Sequence, residues 1–306
     1  MERGRAGLSR DGSLTGVPGV SARLRDWLSL IRFSHSIFAL PFALMALLVA
    51  TGGRPSGRVL ALVVAAMIAA RSAAMAYNRW ADREVDARNP RTIAREIPRG
   101  ALGARAVLGF AIGCALAFVG IAWLLGPACF WLSLPTIAVL FGYSHAKRFT
   151  SSAHLWLGLA LGLAPPAAWL AARGSFDSGS AAALLLGAGV SVWVAGFDVI
   201  YACQDEDFDR RQGLHSLPVR FGTATALRIA QSLHVVATAA FAGFGLLAGL
   251  GVWYYLGLSL VVVLLLIEHR LVAPGDLSRI DAAFFTMNGA VGLAMLAFTA
   301  IDVYLA

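Results

Sequence analysis

The sequence predicts a polytopic, all-α membrane protein, and three observations lead to this fold class. The 306 residues are 58% hydrophobic and only 14% charged, with a mean hydropathy of +0.72, whereas soluble domains carry about 25% charged residues. The charge clusters are separated by apolar runs of roughly 20 residues, the length that crosses a hydrocarbon core as a helix. Because the runs are continuous rather than alternating, β-strands are excluded as the spanning unit.

Nine apolar runs predict nine transmembrane helices. The predicted spans are residues 34–51, 59–81, 104–124, 128–144, 153–173, 181–203, 224–247, 250–267 and 283–303. Ahead of the first span, the sequence is rich in Gly, Ser and Arg and has no apolar core. We therefore expect a flexible basic tail over residues 1–22 and one transmembrane domain over residues 23–306.

The basic residues are distributed asymmetrically between the loops. If the amino end is cytoplasmic, most of the 25 Lys and Arg residues fall in or beside cytoplasmic segments; the exceptions are Arg54, Arg58, Arg71 and Arg173. This bias predicts a cytoplasmic amino end, cytoplasmic even-to-odd loops and a carboxyl end outside. It also accounts for the net charge of +8 without a nucleic-acid partner. We expect an integral protein of the plasma (inner) membrane of a bacterium.

Two polar clusters stand where predicted spans end on the cytoplasmic side. The second span ends in Asn78, Asp82 and Asp86. The sixth span ends in "DVIYACQDEDFD", which supplies Asp198, Tyr201, Asp205 and Asp209. The carboxylates of the first cluster lie 123 residues before Asp205 and Asp209, and basic residues and a proline follow each cluster. The two matching halves predict a pseudo-repeat that closes around one site.

The spacing within each cluster favours a metal site. Residues four apart share one face of a helix, so each cluster forms a ladder of oxygen atoms. Four converging carboxylates repel one another unless a cation compensates them, and Mg²⁺ is held by carboxylates together with substrate phosphates. Arginines near each ladder complement phosphate oxygens. The alternative is a pair of solvated, salt-bridged helix ends. The predicted metal ligands are Asn78, Asp82, Asp86, Asp205 and Asp209.

These motifs match a known family. The chain from about Arg25 onward resembles the UbiA superfamily of intramembrane aromatic prenyltransferases. The resemblance rests on "NRWADREVD", "DVIYACQDEDFD" and "YSHAK". It implies nine helices around a central cavity, two Mg²⁺ ions that bridge a polyprenyl diphosphate to the acidic motifs, and transfer of the prenyl group to an aromatic ring. One departure is Arg79, which stands where the family usually has Asp.

The resemblance also implies roles for individual residues. Five acidic residues are expected to be catalytic: Asp82, Asp86, Asp205, Asp209 and Asp198. The groups expected to bind the diphosphate are Arg91, Arg95, Lys147, Arg148 and His215. Those expected to contact the acceptor are Arg32, Tyr143 and Tyr201. Simpler alternatives are the cytoplasmic charge bias for Lys147, Arg148 and Arg32, a loop hydrogen bond for His215, and a polar helix contact for Asp198.

Within the superfamily, phrases such as "IRFSHSIFALPFALMALL" and "YACQDEDFDRRQGLHSLPVRFG" are similar to the 4-hydroxybenzoate polyprenyltransferase-like branch. This branch implies transfer of a polyprenyl group to a 4-hydroxybenzoate-type acid in quinone biosynthesis. The alternative acceptor is 1,4-dihydroxy-6-naphthoate, in menaquinone biosynthesis. A membrane transporter is a second class of function, but the short, nearly uncharged outer loops argue against it.

Overall fold

The computed structural model describes residues 20–31 and 38–305. These residues form fourteen α-helices. The helices are α1 (Val20–Ile31), α2 (Leu40–Ala50), α3 (Gly57–Ala81), α4 (Arg83–Asp86), α5 (Ala104–Leu125), α6 (Pro127–Ala146), α7 (Ala153–Gly162), α8 (Ala164–Arg173), α9 (Ser180–Ala202), α10 (Glu206–Arg211), α11 (Leu217–Phe221), α12 (Thr223–Leu247), α13 (Val252–Arg270) and α14 (Asn288–Leu305). A 3₁₀ turn, Cys203–Asp205, joins α9 to α10, and a π-helical turn, Ala282–Met287, precedes α14.

Eight of the nine predicted spans are found among the described residues as helical segments long and apolar enough to cross a membrane. The remaining span, 34–51, is described only in part. There the described helix is α2, with 11 residues, and at 1.5 Å per residue it covers only about 16 Å. Pro41 lies in the first turn of α2, a position where proline starts a helix. Residues 32–37 lie outside the described part of the chain.

Helix α9 is the central helix of the bundle. Two thirds of its apolar window is buried, against half or less for every other candidate span among the described residues. Its small residues allow close packing: a Cβ on Gly158 of α7 would lie 2.1 Å from the carbonyl oxygen of Ser191, and one on Gly162 would lie 2.5 Å from that of Gly187. The stretches "GLALGLA" and "GAGVSVWVAG", which contain these glycines, are therefore helix-packing surfaces.

The two acid-bearing helix ends have the same backbone geometry. Helix α3 ends at Ala81, and the next residue, Asp82, has φ −93° and ψ 4°, where the chain turns into α4. At the matching position of the other half, Asp205 has φ −102° and ψ 3°, and the chain turns into α10. The two helix ends thus share the same backbone turn. Each ladder therefore bends, at Asp82 in the first cluster and at Asp205 in the second, and does not lie on one straight helix.

Candidate active site

The two bent helix ends share one cavity of about 280 Å³. Twelve of the fourteen residues singled out from the sequence line it: Asn78, Asp82, Asp86, Arg91, Arg95, Tyr143, Lys147, Arg148, Asp198, Tyr201, Asp205 and Asp209. His215 does not line the cavity. Its side chain is exposed, and its backbone N–H donates to the carbonyl oxygen of Lys147 at 2.7 Å. Arg32 lies outside the described residues.

Each of the four carboxylates of the ladders has its own basic partner. Arg148 lies 3.5 Å from Asp82 and Arg95 lies 2.6 Å from Asp86. In the other half, Arg91 contacts Asp205 with two nitrogens, at 2.5 and 3.0 Å, and Lys147 lies 3.3 Å from Asp209. Because the four carboxylates face one small cavity, they would repel one another, and these four cations compensate their negative charge.

The loop after α4 connects the two halves. Arg91 reaches from this loop to Asp205, and the buried Asn89 donates to the same carboxylate through its amide nitrogen at 3.3 Å. The Arg91 guanidinium also lies 5.2 Å from the ring centroid of Tyr201 and donates to its hydroxyl at 3.1 Å. The basic loop of one acidic motif therefore binds the carboxylate of the other, which makes a single site.

The electrostatics of the site follow from burial and from these pairs. Burial, and next the charge of Asp86, raises the pKa of Asp82 to about 6. Burial lowers the pKa of Lys147, but the carboxylates of Asp209, Asp198 and Asp205 outweigh this effect, so its pKa is raised. Burial also lowers the pKa of Arg91, but the hydrogen bond to Asp205 and the charge of that carboxylate together outweigh burial, so its pKa is raised.

The donor set fits a hard divalent cation. The ladders offer carboxylate oxygens, which Mg²⁺ prefers. Oδ2 of Asp86 is buried without a hydrogen-bond partner in the described part of the chain, so it can accept a metal ion or a donor. In the arrangement present, no three His, Cys, Asp or Glu side chains within residues 20–31 and 38–305 are placed to hold one ion. The carboxylates turn instead to their basic partners.

Two features of the site were missed by the sequence analysis. Arg71 lines the cavity from the middle of α3, and its Nε is buried with no hydrogen-bond partner among the described residues. An arginine inside a predicted span is a recognised sign of function, so this signal was available. His154, on α7, lies 2.6 Å from Asp198; it precedes Asp198 by 44 residues, and no spacing rule connects them.

The walls of the cavity are apolar and aromatic. Phe284 and Phe285, on the π-helical turn, line it together with Phe197 and Tyr201. The ring centroids of Tyr201 and Phe284 are 4.3 Å apart. A second cavity of about 400 Å³, with a mostly apolar lining, shares Arg71 and Tyr143 with the first cavity.

The fold and site define an α-helical membrane protein with a charged cavity beside an apolar one. The UbiA prenyltransferase family model matches residues 39–290. A 4-hydroxybenzoate octaprenyltransferase of Alkalilimnicola ehrlichii is 32% identical over 83% of this chain and 85% of its own length. A 4-hydroxybenzoate solanesyltransferase of Synechocystis is 30% identical over 83% of this chain and 86% of its own length.

Solved structures give the same result. A UbiA homolog from Aeropyrum pernix has a TM-score of 0.80 and 33% identity, over 88% of this chain and 98% of that one. A UbiA homolog from Archaeoglobus fulgidus, solved with DMAPP and Mg²⁺, has a TM-score of 0.72 over 92% of this chain and 100% of that one; at 20% identity it supports the fold alone. The chain belongs to the UbiA prenyltransferase family. It is an integral membrane prenyltransferase.

Proposed function

We propose that this protein transfers a polyprenyl group from a polyprenyl diphosphate to an aromatic acid of the 4-hydroxybenzoate type, with Mg²⁺, in respiratory quinone biosynthesis. The observation that carries the proposal is the cavity in which four carboxylates and four basic side chains meet beside an apolar chamber. Two of the similar proteins bear 4-hydroxybenzoate prenyltransferase names.

The diphosphate of the donor fits the charged cavity. Arg91, Arg95, Lys147 and Arg148 each contact a carboxylate within it, and their N–H groups are suited to phosphate oxygens. Asp82, Asp86, Asp205 and Asp209, with Asn78, would hold Mg²⁺. When bound, Mg²⁺ supplies positive charge to the departing diphosphate. His215 keeps its expected role in diphosphate binding only as a prediction.

The isoprenoid tail fits the apolar chamber. The second cavity adjoins the first at Arg71, Tyr143, Leu157 and Leu161, which line both. A tail that leaves the diphosphate at this boundary reaches a chamber lined by side chains such as those of Ala160 and Leu140. Burial of apolar surface contributes about 25 cal/mol per Å², so the tail adds affinity without specific contacts.

The acceptor fits between Arg71 and Asp198. An aromatic acid carries a carboxylate, and the Arg71 guanidinium is a suitable partner in the apolar part of the cavity. Asp198, in the same cavity, can accept a hydrogen bond from the acceptor hydroxyl. Tyr143 lines both cavities, and Tyr201 lines the charged one. Arg32, for which a contact to the acceptor was expected, lies outside the described residues.

In the reaction, the allylic C–O bond breaks and its electron pair leaves with the diphosphate. The basic side chains stabilise the charge that develops on the leaving group. An electron-rich ring carbon of the acceptor then forms the new C–C bond and loses its proton, which restores the aromatic ring. Phe284, Phe285 and Tyr201 exclude water and present aromatic faces that stabilise the allylic cation.

We also propose the placement in the membrane. The charge bias puts the amino end and the active-site loops on the cytoplasmic side of a bacterial inner membrane, and the carboxyl end outside. A cysteine-accessibility experiment tests this orientation. Single cysteines are introduced by Arg88→Cys or Gly249→Cys into a protein without its native cysteines, and each is labelled from one side of the membrane. Labelling of position 249 from the cytoplasm alone would refute it.

The activity is tested with membranes that contain the protein, Mg²⁺ and a polyprenyl diphosphate. 4-Hydroxybenzoate and 1,4-dihydroxy-6-naphthoate are offered separately, and products are read by mass. The expected product is prenylated 4-hydroxybenzoate, lost in Asp82→Ala and Asp205→Ala. Product from the naphthoate alone would assign the other quinone pathway. Turnover by inserted, folded Asp82→Ala and Asp205→Ala proteins would refute the metal-bound diphosphate scheme.

A further inference from the structure

Asp198 differs from the other four acidic residues of the cavity. The carboxylates of Asp82, Asp86, Asp205 and Asp209 are each paired with an arginine or a lysine. The one hydrogen-bond partner of Asp198 among the described residues is a histidine, His154, whose Nδ1 lies 2.6 Å from Oδ2 of Asp198; Lys147 acts on Asp198 only through its charge, without direct contact. A cationic partner stabilises an ionised carboxylate and opposes proton uptake. A neutral imidazole orients the carboxylate without adding a charge.

The protonation pattern of His154 follows from its second contact. The backbone N–H of Leu217 points at Nε2 of His154, at 3.3 Å. A backbone N–H can only donate, so Nε2 accepts and carries no proton. The ring proton of the neutral imidazole is then on Nδ1, from which it donates to Asp198. The Leu217 N–H is the first of helix α11 and has no partner within that helix, so His154 satisfies an otherwise unpaired donor.

The burial of the pair separates two roles. The His154 side chain is 1% exposed, so no substrate atom can reach it, whereas the Asp198 side chain is 20% exposed and lines the cavity. Oδ2 of Asp198 is bound by His154, and Oδ1 makes no hydrogen bond within the described part of the chain. One carboxylate oxygen is therefore fixed and the other is available to the acceptor.

We infer that Asp198 accepts the proton of the acceptor hydroxyl during ring attack, and that His154 is the positioning residue that aims this carboxylate. This inference rests on the proposed function. After the diphosphate has left with its electron pair, the ring forms the C–C bond to the allylic cation while the O–H bond of the acceptor breaks and its proton moves to Oδ1 of Asp198. The ring then loses its C–H proton to the diphosphate, and Asp198 returns its proton to the ring oxygen.

Two substitutions separate the hydrogen bonds of His154. In His154→Asn the amide nitrogen lies near the position of Nδ1 and can still donate to Asp198. In His154→Gln the amide group lies near the position of Nε2 and serves Leu217 instead. General acid–base groups contribute roughly 100-fold or more to rate. We expect His154→Asn to keep kcat within about threefold of wild type, and His154→Gln to lose roughly tenfold or more.

A more acidic acceptor gives a readout that a structural role does not affect. 3-Fluoro-4-hydroxybenzoate loses its hydroxyl proton more readily than 4-hydroxybenzoate. The ratio of wild-type kcat to that of His154→Gln should therefore fall by about threefold or more with the fluorinated acid. An equal ratio for both acids would overturn the inference. So would full activity of His154→Gln, or equal losses in the Asn and Gln variants.

A double-mutant cycle covers the case of a damaged fold. If His154 acts through Asp198, His154→Gln causes no further loss of kcat in an Asp198→Asn background. An undiminished loss in that background would assign His154 a purely structural role and overturn the inference. A wild-type protein that prenylates no aromatic acid would instead refute the proposed function, and this inference with it. The two failures are thus distinguishable.

Discussion

Arg71 offers the sharpest test of how the acceptor is recognised. It lies in the middle of α3, two turns before Asn78, and lines both cavities. Its Nε is buried and has no hydrogen-bond partner in residues 20–31 and 38–305. By contrast, Arg91, Arg95 and Arg148 are paired with carboxylates of the diphosphate region. A ligand carboxylate at Arg71 would therefore satisfy a cation that the described residues leave without an acidic partner.

The size of the effect can be worked out from this contact. A hydrogen bond to a charged group contributes about 1.5–3 kcal/mol, and about 1.4 kcal/mol corresponds to a factor of ten. Arg71→Gln keeps a polar side chain and removes the charge. It should weaken the binding of 4-hydroxybenzoate by about 10- to 150-fold. The KM for the donor should change by less than about twofold, because the diphosphate is bound by other residues.

The assay compares a charged acceptor with a neutral one. Steady-state kinetics in proteoliposomes give kcat/KM for 4-hydroxybenzoate and for 4-hydroxybenzamide, in wild type, Arg71→Gln and Arg71→Lys. The loss in Arg71→Gln should be confined to the acid. Arg71→Lys is the matched control, which keeps the charge but not the planar fork, and should lose less. Equal losses for the acid and the amide, or a raised donor KM, would refute a carboxylate contact at Arg71.

Three further predictions follow from the site. The pKa of Asp82 is raised to about 6 by burial and by Asp86, so its carboxylate form dominates above pH 6. Mn²⁺ affinity should therefore fall about tenfold per pH unit below pH 6 and level off above it. EPR titration of Mn²⁺ in the absence of the prenyl donor measures this affinity. A constant affinity from pH 5 to pH 8 would contradict this. Asn288 donates to Glu268 at 2.7 Å and to the carbonyl oxygens of Ala283 and Phe284. Asn288→Ala should therefore lower the free energy of unfolding by about 1–3 kcal/mol, measured by denaturation in detergent. Unchanged stability would refute this role. Ala160→Phe should fill part of the apolar cavity. It should reduce kcat/KM at least about tenfold for donors with long isoprenoid tails and leave kcat/KM for the shortest donor unchanged, with products read by mass. Equal losses at all tail lengths would refute the assignment of the tail to this cavity.

Much of the fold was predictable because its signals are local. An apolar run of about 20 residues identifies a span wherever it occurs, and eight predicted spans correspond to helices in the described chain. The repeated acid spacing likewise predicted that Asp82 and Asp205 occupy equivalent positions. Their matching φ and ψ values extend that equivalence to the backbone. Bilayer thickness and helical periodicity thus predict the spans and the equivalence of the two acidic residues without information on tertiary contacts.

The features that escaped prediction depend on contacts between distant segments. The contact of His154 with Asp198 requires α7 and α9 to pack through Gly158 and Gly162. The π-helical turn that carries Phe284 depends on the side chain of Asn288, which bonds the carbonyl oxygens of that turn. The bends at Asp82 and Asp205 interrupt the helices, although the four-residue spacing of the acidic residues is also compatible with straight helices. Local propensity cannot report such tertiary effects.

The pairing of the four ladder carboxylates predicts that metal and diphosphate bind cooperatively. Four carboxylates and four basic side chains are close to neutral together. Divalent cations alone would leave an excess of positive charge, and a diphosphate alone an excess of negative charge. Together they largely cancel, so each should tighten the binding of the other by the same factor, roughly tenfold or more.

Lys147 separates this explanation from general destabilisation of the site. It lies 3.3 Å from Asp209, so Lys147→Met frees a carboxylate for metal and removes a cation that the diphosphate needs. Mn²⁺ should then bind more tightly in the variant, and a prenyl thiolodiphosphate more weakly, when each is titrated alone. Weaker binding of both ligands would show only that the site is damaged. Equal Mn²⁺ affinity of the wild-type protein with and without the thiolodiphosphate would show that the cations and carboxylates act independently, contrary to the charge balance inferred from their pairing.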